Sequence, residues 1–198
     1  MSCRELDAWV DSVAAATRPD TVHWCDGSDM EIERLYDGMA ASGALLRLDE
    51  GKHPGSYYAR SDVNDVARAE ERTFICSAKQ DDAGPTNNWK NPAAMHALLD
   101  PLFAGCMRGR TMYVVPYLMG PPASALARVG VEITDSPYVV ANMRIMTRMG
   151  RVALEHLNDG GEFVKGMHST GALDPTQRYI SHFPDENLIT TTQNSCKS

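Results

Sequence analysis

Residues 110–119 read RTMYVVPYLM, residues 129–134 read VGVEIT, and residues 136–149 read SPYVVANMRIMTRM. The first two runs are rich in β-branched and aromatic residues and are bounded by glycine and proline, which predicts two strands. Pro116 within the first predicts an edge strand or a bulge. In the third run Ser136 and Pro137 open a helix, and Val139, Val140, Met143, Ile145 and Met146 recur at helical spacing as one buried stripe reaching Gly150. Two strands followed by a helix that must cover them place the sheet of an α/β protein here.

Upstream, Ser2 followed by Glu5 has the form of a capping box, and Leu6, Trp9, Val10 and Val13 predict a first helix to about Thr17, ended by Pro19. Residues 21–25 read as a strand. Ser28 and Glu31 form a second capping box for a helix carrying Ile32, Leu35 and Met39, which Gly43 stops. Residues 56–60 are extended in character, 65–71 read as a helical turn, 73–76 as a short strand and 82–88 as a loop. Asn91 and Pro92 start a helix whose apolar face is Met95, Leu98, Leu99 and Leu102. Residues 162–167 and 178–183 supply later strands. Helices and strands interleave without a regular βαβ period, so the expected fold is α/β, a mixed sheet flanked by helices.

With 26 acidic against 19 basic residues the formal net charge is −7, which disfavours nucleic acid and anionic membrane as partners. An anionic ligand needs a local cationic pocket. No apolar stretch approaches the roughly 20 residues of a bilayer span. Arg4, Glu5 and Asp7 interrupt the apolar core that a signal peptide requires, and the five cysteines lack a C-x-x-C pair, so a reduced, cytoplasmic protein is expected.

Neither G-x-x-x-x-G-K-[ST] nor G-x-G-x-x-G occurs, so nothing in the sequence offers a phosphate-cradling glycine loop. The six histidines form no H-E-x-x-H. His23 and Cys25 fall on one strand face, a pattern that packing explains more often than ligation, and His168 sits at a polar strand end; no metal ligand is assigned. Guanidinium groups suit carboxylates because their planar fork binds bidentately and keeps its charge. The candidates are Arg60, Arg68, Arg108, Arg110, Arg144 and Arg148, which spacing alone does not rank.

Four longer segments do rank them. Residues 57–89, YYARSDVNDVARAEERTFICSAKQDDAGPTNNW, then 105–121, GCMRGRTMYVVPYLMGP, 130–150, GVEITDSPYVVANMRIMTRMG, and 162–171, EFVKGMHSTG, resemble in order the GTP-dependent phosphoenolpyruvate carboxykinases of the actinobacterial kind. The resemblance extends over about residues 7–189. It implies the amino-terminal, substrate-binding domain of a gluconeogenic, decarboxylating lyase that uses Mn2+ and GTP with Mg2+. It further implies that Arg68, in the D-V-A-R motif, holds the carboxylate of oxaloacetate or phosphoenolpyruvate, and that Glu70 meets a mobile lid.

The resemblance lapses at residues 188–198, LITTTQNSCKS, where the family continues into I-S-F-G-S-G-Y-G-G-N and a manganese-ligating lysine. The expected organisation is a substrate-binding domain over 1–189 and a divergent tail over 190–198, with the histidine and aspartate metal ligands, the P-loop and the guanine pocket absent. The expectation is that this chain alone is inactive and works with the missing C-terminal part. The alternative is a non-catalytic remnant that binds a small dicarboxylate or a partner polypeptide.

Overall fold

A computed structural model of the chain describes residues 3–60, 69–157 and 162–193. The fold is a mixed α/β arrangement built on one large sheet. Its strands are β1 (Thr21–Trp24), β4 (Thr73–Ile75), β5 (Asn88–Trp89), β6 (Thr111–Met119), β7 (Arg128–Thr134), β8 (Arg148–Met149), β9 (Val164–Ser169), β10 (Tyr179–Phe183) and β11 (Leu188–Thr192). A separate two-stranded ribbon pairs β2 (Leu45–Arg47) with β3 (Tyr57–Ala59). The helices are α1 (Arg4–Thr17), α2 (Asp29–Ala41), α3 (Pro92–Phe103), α4 (Pro137–Met146) and α5 (Arg151–His156).

The large sheet runs in the order β1-β6-β7-β9-β11-β10-β4-β5, with β8 pairing the far end of β6. Parallel and antiparallel pairs alternate irregularly, β6 with β7 and β10 with β11 being antiparallel. As side chains alternate across a strand, β6 serves two cores. Met112, Val114 and Leu118 pack with Val129, Val131 and Ile133 of β7 against α1 and α5. Val115, with Tyr113 and Tyr117 beside it, faces the opposite way toward Val139, Val140 and Met143 of α4. Each such fully buried aliphatic side chain contributes about 1.5–3 kcal/mol. A third cluster joins α3, through Met95, Leu99 and Phe103, to Cys76 and to Phe183 of β10.

The predicted strands and helices that fall on described residues are present, with four differences; the helical turn expected over 65–71 lies mostly outside the described residues. Pro116 lies on neither an edge strand nor a bulge: it sits inside β6, opposite Val131, in an unbroken register with β7. β1 has already ended opposite Val114, and the carbonyl of Pro116 instead accepts the Gly150 amide at 2.9 Å. On that side no ladder donor is needed, so proline costs nothing there. The helix after Ser136 ends at Met146, before Met149, and Ile145 and Met146 are exposed at 74% and 70%. Residues 82–88 are not wholly loop, since a 3-10 turn spans Gln80–Ala83 and β5 begins at Asn88. At α1, Cys3 holds the N-cap position without a side-chain hydrogen bond, and Ser2 lies outside the described residues. None of the described helices is long and apolar enough to cross a membrane.

Candidate functional site

The strand directions bring the starts of β6, β10 and β4 and the ends of β7, β9 and β11 to one end of the sheet. Asp135, just past β7, organises that end. Its fully buried carboxylate accepts from Arg110 Nη1 at 2.7 Å, Ser169 Oγ at 2.9 Å, and the amide and hydroxyl of Thr170 at 2.8 and 3.1 Å. Arg110 Nη2 donates onward to the carbonyl of Gly171 at 3.0 Å. Gln193, after β11, accepts from the amides of Ala172 and Asp174 on its side-chain oxygen, while its carbonyl accepts from Arg178 Nε at 3.1 Å. Thr134 Oγ1 lies 2.7 Å from Nδ1 of the wholly buried His168 and also accepts the Ser136 amide. The polar loops of three strands are thereby fixed to one another by charge-assisted bonds.

Beside this network opens a cavity of about 640 Å³. It is lined by Arg34 on α2, Arg60 after β3 and Arg110 at the start of β6, together with Tyr113, Tyr138 and Asp135. Among the described residues no salt bridge engages Arg34 or Arg60. Apolar walls from Leu35, Met39 and Pro137 lower the local dielectric and strengthen any charged contact made there.

Of the sequence candidates, Arg60 and Arg110 meet at this cavity, and Arg34, which spacing had not singled out, joins them from the face of α2 that also carries Leu35 and Gly38. Arg144 donates instead to the Gly27 carbonyl at 2.7 Å and pairs with Asp29, and Arg148 donates to the Gly120 carbonyl; both are structural ties. Arg108 is exposed. Arg68 lies outside the described residues, between Arg60 on the cavity and Ala69. Glu70 is exposed in the 3-10 turn Glu70–Arg72, whose carbonyl at Glu70 accepts Asn88 Nδ2. In the same turn Arg72 donates to the Thr176 carbonyl and the Tyr179 hydroxyl at 3.0 and 3.3 Å, tying it to the start of β10.

A second cluster sits where β1 runs into α2. His23 and Cys25 do share a strand face, and α2 adds Glu31 between them. His23 Nε2 lies 2.6 Å from Glu31 Oε1, and the amides of Asp26 and Gly27 donate to the same carboxylate at 3.2 and 2.8 Å. Ser28 Oγ accepts the Glu31 amide, as a capping box requires, but the Glu31 side chain reaches Asp26 and Gly27, and Ser28's own amide is taken by Asp26 Oδ1. Burial, reinforced by the Glu31 and Asp26 carboxylates, holds the Cys25 thiol far above the ordinary thiol range.

A family model described as the phosphoenolpyruvate carboxykinase N-terminal domain matches residues 8–195. The phosphoenolpyruvate carboxykinase [GTP] of Anaeromyxobacter dehalogenans is 52% identical over 184 residues, covering 93% of this chain and 31% of the relative. That of Corynebacterium jeikeium is 47% identical over 197 residues, covering 94% and 32%, and that of Corynebacterium kroppenstedtii 50% identical over 192 residues, covering 91% and 31%. The chain spans about a third of the length of the curated relatives it matches. A sheet end rich in arginine and fixed by Asp135, inside a match that runs almost the whole chain, leads to one assignment: the chain belongs to the phosphoenolpyruvate carboxykinase N-terminal domain family.

Proposed function

We propose that the chain supplies the carboxylate-recognising wall of a GTP-dependent phosphoenolpyruvate carboxykinase. In that reaction oxaloacetate loses its carboxylate as carbon dioxide, leaving an enolate, and the enolate oxygen takes the γ-phosphoryl group of GTP as the bond to GDP breaks. Arg68 holds the surviving carboxylate of oxaloacetate or phosphoenolpyruvate, and Glu70 meets a lid that closes over the bound acid. The observation that carries this reading is the family match through the D-V-A-R segment, residues 65–68. It is supported by Arg60, five residues before that segment in the sequence, which lines the arginine-rich cavity. Residues 1–189 act as the substrate-binding unit and 190–198 as its divergent end, with Thr190–Thr192 still in the sheet as part of β11.

The described residues do not fit a manganese and GTP centre. The donors that converge on the cavity are cationic or already engaged, and the sequence has no P-loop. The group of three ligand-type side chains among the described residues, His23, Cys25 and Glu31, includes a thiol that suits softer ions than manganese. Metal and nucleotide are therefore assigned to the remainder of the relatives' length, and this chain's part is to bind and orient the acid.

The test is Arg68→Ala in a carboxykinase of full relative length carrying this segment. Loss of a desolvated, charge-assisted pair is expected to lower kcat/KM for both acids by about 2–4 kcal/mol of transition-state stabilisation, leaving GDP affinity unchanged. Unaltered kinetics for both acids would sink the assignment of Arg68.

A further inference from the structure

We propose that His23, Cys25 and Glu31 form a binding site for a zinc ion, separate from the carboxylate-binding cavity. The three ligand atoms, one imidazole nitrogen, one sulfur and one carboxylate oxygen, all lie within 4.8 Å of one another. This N, S, O set matches the ligand preferences of Zn2+, which takes histidine, cysteine and carboxylate in tetrahedral sites, and is poorly matched to Mn2+ or Mg2+. The charges also balance: a thiolate and a carboxylate neutralise a divalent cation, so the loaded site can be buried without a net charge.

The cradle is already oriented. His23 lies in β1 and Cys25 follows its last residue, two positions on, where an extended chain returns a side chain to the same face, and the Cys25 amide is pinned to the Val114 carbonyl at 2.8 Å. The Tyr113 ring meets His23 edge-on with centroids 5.9 Å apart. The Asp26 and Gly27 amides hold the Glu31 carboxylate, the outer-shell support that metal-binding carboxylates ordinarily have. Glu31 is 3% exposed in its side chain and its salt-bridge partner is a histidine, and among the described residues no lysine or arginine forms a salt bridge with it. His23 remains 42% exposed and lines, with Glu31 and Arg34, a cleft of about 310 Å³. That cleft gives the ion an entry path and leaves its fourth position to water. On binding, the Cys25 proton leaves to solvent, the imidazole proton moves to Nδ1, and the ion replaces the direct contact between Nε2 and Glu31.

The experiment uses the purified 198-residue chain, stripped with a chelator and titrated with Zn2+ against a chromophoric indicator, and with Co2+ as a spectroscopic substitute. One equivalent of Zn2+ is expected, undisturbed by tenfold excess of Mn2+, as is a thiolate-to-cobalt charge-transfer band in the near ultraviolet. His23→Ala and Cys25→Ser should each weaken zinc binding at least about tenfold. Cys25→Ser should in addition remove the charge-transfer band. Binding that survives both substitutions, or a cobalt complex of the wild-type chain without the sulfur band, would overturn the site. The wild-type cobalt spectrum decides the matter even if a variant fails to fold. Either result leaves the Arg68 kinetics untouched, so the two proposals fail separately.

Discussion

At the level of single residues, the His156 ring owes its state to oxygen atoms that only accept. His156 Nδ1 lies 2.8 Å from the Val152 carbonyl and Nε2 lies 2.7 Å from the Pro122 carbonyl, and both contacts are satisfied only when both ring nitrogens carry protons. The carbonyl of Pro122, then that of Val152, raise its pKa above the ordinary value of 6.5. Because the folded value is the higher one, the tie between α5 and the 121–127 loop is fully present below pH 6.5 and is lost as pH rises through the folded pKa. An NMR titration should therefore find the His156 midpoint above 6.5, and a midpoint at or below it would refute the doubly donating ring. Asp135 is the opposite kind of case, an acceptor surrounded by donors. Asp135→Ala strands Arg110 and the Thr170 amide and should cost about 2–4 kcal/mol, read as a lowered denaturation midpoint at unchanged slope. Arg110 and Arg60 were recognisable in the sequence as candidates, whereas Arg34 and Glu31 were not. Their roles depend on which face of α2 meets β1 and β6, a tertiary fact that helical spacing does not contain.

Among the elements, the tightest joint is between the turn after β1 and the link from β8 to α5. A Cβ on Gly150 would meet the Asp26 carbonyl oxygen at 1.9 Å, and Gly150 has φ +78; Gly27, also at positive φ, packs against Met149 in return. Two glycines are required here for backbone approach as well as for dihedral freedom. Gly150→Ala should destabilise by more than about 2 kcal/mol and disturb the backbone that presents Asp26 and Gly27 to Glu31. A melt within a degree of wild type would contradict this close contact. The strands β6 and β7 and the start of α4 were legible because composition, alternation and the Ser-Pro start all agree. The end of α4 was not, since Ile145 and Met146, its last two residues, continue the apolar spacing although both are exposed, and the chain then turns into β8. β11, with three threonines in five residues, has buried polar side chains where a strand signal would be apolar, and short β5 and β8 carry too few residues to read.

For the molecule as a whole, the family was readable from long ordered segments, and the arginine that the resemblance favours, Arg68, falls outside the described residues. Incubated with oxaloacetate, GTP and Mn2+, the chain by itself is expected to form no phosphoenolpyruvate. The product to measure is phosphoenolpyruvate, because oxaloacetate loses carbon dioxide unaided; metal-dependent phosphoenolpyruvate formation would refute the division of labour. The sheet order carries one more consequence. β11 is the last strand among the described residues, yet it lies between β9 and β10, joining the half of the sheet built on β6 and β7 to the half built on β4 and β10. On the ribosome, then, the two halves wait with facing bare edges, Val164–Ser169 and Tyr179–Phe183, until Leu188–Thr192 has left the exit tunnel. A nascent chain arrested before Leu188 emerges should be cut by protease between the halves and captured by chaperones, while one arrested well beyond Thr192 should resist both.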